Sequence, residues 1–203
     1  MLAWSALDGV RTMAANTAPA DLAWRNAMQA QTRPAELDDA TLAFAEHVFH
    51  AARIGDSVRL GHLLGQGMPA DLRNHAGDSL LMLASYHGRL AATSVLLDHG
   101  ADAQLANRRG HTPLAGAAFK GDLPMVRLLV ERGTDVESPC ADGKTALMMA
   151  AMFNHTAIVE WLVTQGADPH ATDAGSTTPL AAARMMGASE AVALLQRIAA
   201  AQA

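Results

Sequence analysis

Apolar and polar positions along this chain recur with two periods at once. Within short stretches the apolar residues fall at helical spacing. Val126, Leu129 and Val130 share a face in a segment of about Leu123 to Arg132, and Leu114, Ala117 and Ala118 mark a shorter run that stops at Gly121. Over longer distances the whole pattern returns every thirty-third residue. The series Leu63, Leu96, Leu129, Leu162, Leu195 never leaves leucine, and Val48, Leu81, Leu114, Leu147, Leu180 keeps a large aliphatic residue. Gly67, Gly100, Gly133 and Gly166 form a third series and Gly77, Gly110 and Gly143 a fourth, with Gly175 one residue early, as if the last turn carried an extra residue before Thr178. Four series with one period predict a repeat array.

Each unit reads as a turn and two helices. The turn Asn107-Arg108-Arg109-Gly110-His111 leads into Thr112-Pro113, a hydroxyl cap with proline at the first helical position. The second helix ends at Gly133, and Thr134-Asp135-Val136 runs extended into the next turn. Helix pairs this short cannot bury their own apolar faces, so neighbouring pairs must stack. At the N-terminal side, Pro34-Ala35-Glu36 opens a longer helix through Phe44, Val48 and Ala51. Leu22, Trp24 and Met28 suggest a helix after Asp21, or a loose arm that also holds Trp4.

The segments Gly77 to Ala103, Gly110 to Val136, Gly143 to Pro169 and Gly175 to Ile198 resemble ankyrin repeats. Thr112-Pro113-Leu114, Thr178-Pro179-Leu180, Gly100-Ala101-Asp102 and Gly166-Ala167-Asp168 are the marker segments. Glu46 to Leu72 looks like a degenerate first repeat without its turn. The resemblance implies an all-α ankyrin-repeat solenoid of helix-turn-helix units with hairpin-like turns. Its parts are an arm at 1–33, a repeat domain at 34–198 and a frayed tail at 199–203. The repeats fall at about 34–73 (degenerate), 74–106, 107–139, 140–172 and 173–198 (C-terminal cap). Met82, Ala115, Met148 and Ala181 replace the family's usual His after Thr-Pro-Leu, which removes that ring's hydrogen bonds between repeats. Asn154 stands where Gly88 and Gly121 stand in their units, a mild change because Asn tolerates the left-handed region.

Composition supports this picture. The chain has 203 residues, 50% hydrophobic but only 4% aromatic, so small side chains supply much of the apolar character. That suits closely stacked helices better than strands. A formal charge of −5 argues against a surface that tracks nucleic-acid phosphates, and 17% charged residues argues against disorder. One cysteine, a start without a basic n-region and the lack of an 18-residue apolar run predict a cytoplasmic, non-membrane protein. A monomer is expected.

Candidate chemistry is sparse. Gly143-Lys144-Thr145 resembles the end of a phosphate loop, but Ser138 stands where that loop needs glycine. His47 and His50 lie one turn apart without a matching third ligand, so no metal and no cofactor are expected. Cys140, placed in a turn, predicts an exposed thiol without a catalytic partner. Asn154-His155-Thr156 fits a glycosylation sequon that a cytoplasmic chain would never have read. Trp161 is expected in the core beside Leu162. The reading is a protein without enzymatic activity.

What the resemblance implies instead is a recognition surface, formed by turn tips and the exposed face of each first helix around a concave groove. Carried over by position, the helix residues are Arg53 and Ile54, Tyr86 and His87, Phe119 and Lys120, Met152 and Phe153, Met185 and Met186. The turn residues are His75, Ala76 and Asp78; Arg108, Arg109 and His111; Ala141, Asp142 and Lys144; Asp173, Ala174 and Ser176. The lone Tyr, two of four Phe and both lysines fall in this set. An apolar ladder Tyr86–Phe119–Met152–Met185 beside a basic centre suits a partner protein with acidic and apolar side chains. Packing between repeats is the competing account of the ladder. The alternative functions are a stability or folding partner of one enzyme, and a secreted effector acting on host proteins with 1–33 as its export signal.

Overall fold

The hydroxyl residues that precede the first helices act as predicted. In the computed structural model, which describes residues 39–201, the side chains of Ser79, Thr112, Thr145 and Thr178 accept hydrogen bonds from the backbone N–H groups of Met82, Ala115, Met148 and Ala181. Each such bond satisfies one N–H left without a partner by the start of a helix. The expected arm, the helix start at Pro34, Trp4 and Trp24 lie outside the described residues, as do residues 202–203.

Ten helices follow among the described residues: α1 (Asp39–Ile54), α2 (Ser57–Gly65), α3 (Leu80–Tyr86), α4 (Leu90–Asp98), α5 (Pro113–Lys120), α6 (Leu123–Glu131), α7 (Ala146–Met152), α8 (Thr156–Thr164), α9 (Pro179–Met186) and α10 (Ser189–Ala201). There is no strand among them, only a single antiparallel bridge between Arg73 and Ser79. A compact unit begins at Glu46, and the packing described below belongs to it. First helices pack on first helices, α5 between α3 and α7 and α7 against α9, while α2, α4, α6, α8 and α10 form the second layer.

The leucine series is the core of that second layer. Leu96, Leu129 and Leu162 are fully buried, and Leu63 and Leu195 nearly so. In the first layer Val48, Leu81, Leu114 and Leu147 are also fully buried, whereas Leu180, on the last first helix described, is only partly covered. Alanines 84, 117, 118, 150, 151 and 183 have no exposed surface and keep successive first helices close.

Between units the chain closes four hairpin-like turns, with Asn74, Asn107, Cys140 and Asp173 each donating their N–H to a carbonyl four residues on. Asn107 holds its turn further by accepting from the N–H groups of Arg109 and His111, and Asp173 does the same with those of Gly175 and Thr177. Successive turns are linked through the N–H groups of Arg108, Ala141 and Ala174, which donate to Ala76, Gly110 and Asp142.

Five details depart from the sequence reading. The last turn has no extra residue: Ser176 occupies the left-handed position held elsewhere by Gly77, Gly110 and Gly143, with φ 61°. Val136 is not extended but lies in a tight turn in which the Asp135 carboxylate accepts from the Glu137 N–H. Helix α10 continues through the expected tail to Ala201. Trp161 is half-buried with the Arg127 guanidinium 5.8 Å from its ring, and the core position belongs to Leu162.

The fifth departure is Cys140, which is buried rather than exposed. It fills the anchoring place of Asn107 and Asp173, which faces inward. Burial pushes its thiol above the ordinary range, keeping it protonated, with a smaller contribution from Asp142. The left-handed cap, by contrast, is as expected: Asn154 has φ 60°, and its side chain accepts from the Ala191 N–H.

Candidate binding face

The first helices end on a row of side chains that the stacking brings together. The ring of Tyr86 lies 5.4 Å from the Lys120 ammonium and edge-on to His87 at 5.7 Å. Phe119 meets Phe153 edge-on, with centroids 4.6 Å apart, so the aromatic ladder steps from Phe119 to Phe153. These contacts arise because the helices are in register: Tyr86 and Phe119 are one period apart, each at the last turn of its helix.

Between α3 and α5 opens a pocket of about 540 Å³. From the predicted set it takes Ala76, Asp78, Tyr86, His87, Arg109, His111 and Phe119. Met82, Asn107, Gly116 and Met149 also line it and were not on that list. Gly116 leaves the space: a Cβ there would stand 3.5 Å from the Tyr86 ring. A glycine inside a first helix, where alanine is the better helix former, is the signal in the sequence that marks this position.

The basic centre divides. Arg108 and Arg109 are exposed at one turn tip and Lys120 at the end of α5, and none forms an ion pair among the described residues. Lys144 is different: its ammonium lies 2.5 Å from Asp142 and 3.9 Å from Asp173. The hydrogen bond between the two holds Asp142 below the ordinary carboxylate range and Lys144 above the ordinary amine range. Lys144 is thereby committed to its own turn, and Thr145 to capping α7, which leaves the Gly143-Lys144-Thr145 segment a structural turn.

His87 is held below the ordinary imidazole range, first by partial desolvation and then by Arg89, Arg53 and Lys120. It is mostly neutral near pH 7. Arg89 donates through Nε to the Arg53 carbonyl at 2.8 Å, and the His155 ring makes the corresponding contact with the Phe119 carbonyl at 3.0 Å. These two side chains tie neighbouring units together at the C-terminal ends of the first helices.

The large hydrophobics that stay exposed among the described residues are Ile54, Val58, Tyr86, Leu90, Phe153, Met185 and Met186, with Met185 at 79%. Met152 is half-buried. His75, Asp142 and the remaining turn residues lie away from this apolar row, on the far end of the helices. His47 and His50 are both exposed on α1. No helix among the described residues is long and apolar enough to cross a membrane.

A family model described as ankyrin repeats (three copies) matches residues 48–140 and 135–201. The chain is also 62% identical, over 53 residues, to a Pseudomonas aeruginosa protein that bears the name of an ankyrin repeat protein. That match covers 26% of this chain and 31% of the relative, so the chain spans about a third of the relative's length.

Proposed function

Since the chain belongs to the ankyrin repeat family, whose repeats generally mediate protein–protein recognition and are generally not catalytic, we propose that it is a binding module that holds one partner protein on its first-helix face. The observation that carries this reading is the pocket between Tyr86 and Phe119, with Arg109 in its lining and Lys120 over the Tyr86 ring, on a chain of net charge −5. Interface cores are enriched in aromatic residues, Met and Arg, and all three classes meet here. The positive rim would speed encounter with an acidic partner and set its register.

The test is capture of partners by the tagged chain under native conditions. Two variants serve as controls: Arg108→Glu with Arg109→Glu and Lys120→Glu, and Tyr86→Ala with Phe119→Ala. A specific partner is expected to bind the parent chain and to be depleted on both variants, each aromatic anchor contributing about 1–3 kcal/mol. Retention of every specific partner by both variants overturns this assignment. So does turnover of a substrate by the purified chain.

A further inference from the structure

On the reading that this chain is a binding module, we infer that its partner lies along the edge where each first helix turns back into its second, not across the turn tips. We further infer that the bound segment carries carboxylates among apolar side chains. Every large hydrophobic that stays exposed among the described residues lies within four residues of the end of α1, α3, α7 or α9. The turn tips present none. An apolar row rimmed by polar groups marks an interaction site, whereas scattered single residues do not.

The row is continuous across units. Arg89 reaches the Arg53 carbonyl, Lys120 covers Tyr86, Phe153 packs on Phe119, and Asn154 takes the Ala191 N–H. Cations accompany the row at both ends of the stack, with Arg184 exposed beside Met185 in the last unit. Arg53, Arg89 and Lys120 gather around His87 over the first three units, without a carboxylate paired to any of them among the described residues. The two carboxylates at this end of the same units, Asp56 and Asp122, cap α2 and α6 through the N–H groups of Arg59 and Met125. Phe153, Met185 and Met186 follow over the last two units.

Three cations that no carboxylate neutralises among the described residues, on a net-acidic chain, select an anionic ligand. The pocket at Tyr86 selects one that can insert a side chain, which a flat lipid surface cannot do. The ligand is therefore a protein segment that carries both carboxylates and apolar side chains and lies along this edge.

The probe is a displayed library of random peptides selected on the full-length chain, with the enriched peptides then measured by fluorescence anisotropy. The enriched sequences are expected to combine Asp or Glu with Leu, Ile or Phe. Their affinity is expected to fall at least about ten-fold on Arg53→Glu with Lys120→Glu, and likewise on Met185→Ser with Met186→Ser, where exposed side chains can change without loss of core. His75→Glu with Ala174→Glu, exposed turn-tip positions outside the pocket, should leave it unchanged. Selection of basic or uncharged peptides, loss of binding on the turn-tip variant alone, or tighter binding to phosphatidylglycerol vesicles than to any peptide overturns the inference. If the turn-tip variant alone releases a captured natural partner, this edge is wrong while the binding module stands; with no specific partner captured at all, the module itself fails.

Discussion

Ser176 sits at φ 61°, a conformation that costs a residue with a Cβ about 1–2 kcal/mol and costs glycine little. Among the described residues no further turn stacks over it. At Gly143 a Cβ would stand 2.7 Å from the Ala174 backbone nitrogen, and at Gly110 it would collide with the Cβ of Ala141. The two sites should therefore respond in opposite directions. Ser176→Gly is expected to be neutral to stabilising by up to about 1 kcal/mol, and Gly143→Ser to destabilise by more than about 1 kcal/mol, both read from thermal or urea unfolding. Equal responses would mean that turn stacking is not what fixes the glycines. The neighbouring pair Asp142 and Lys144 gives a pH test. Asp142 is depressed, so its contribution is present above about pH 4 and lost as acid protonates it. Lys144 is raised, so its contribution is present below about pH 10 and lost as base deprotonates it. The stability difference between the parent and Lys144→Met is expected to be small, widest between those limits, and to vanish at both ends, because both groups face solvent.

At the scale of the element, stability is shared between layers and not within helices. None of the repeat helices from α2 to α9 exceeds nine residues, too short to persist alone in water. Leu129 joins α6 to its neighbours with no exposed surface. Leu129→Ala should cost about 2–5 kcal/mol. Because units couple only to their neighbours, the change in the middle unit should also separate unfolding into two steps, visible by calorimetry. A single undisturbed transition would contradict the nearest-neighbour account. The caps follow the same economy: α6 begins on the Asp122 carboxylate, whereas α4 and α8 begin on Arg89 and His155, whose side chains turn instead to the carbonyl of the preceding first helix.

For the molecule as a whole, the period of 33 carries the architecture. The leucine series, the hydroxyl caps and the alanines were legible because each depends on local chemistry or on burial that recurs at fixed spacing. The candidate binding face was legible only in part. Its membership followed from register, and Tyr86, Phe119, His87 and Arg109 do meet at one pocket. Which of the set remain available did not follow, because pairing and burial are settled by neighbours one period away. Lys144 is taken by Asp142 and Asp173, Cys140 is covered, Trp161 is half out, and Met149 lines the pocket from the next unit. The sequence by itself determined the repeat, its helices and the core, since a strict period writes the same local instructions five times over. Only the tertiary structure decided that the exposed apolar surface gathers on one edge of the stack, because exposure is what remains after every unit has covered its neighbour.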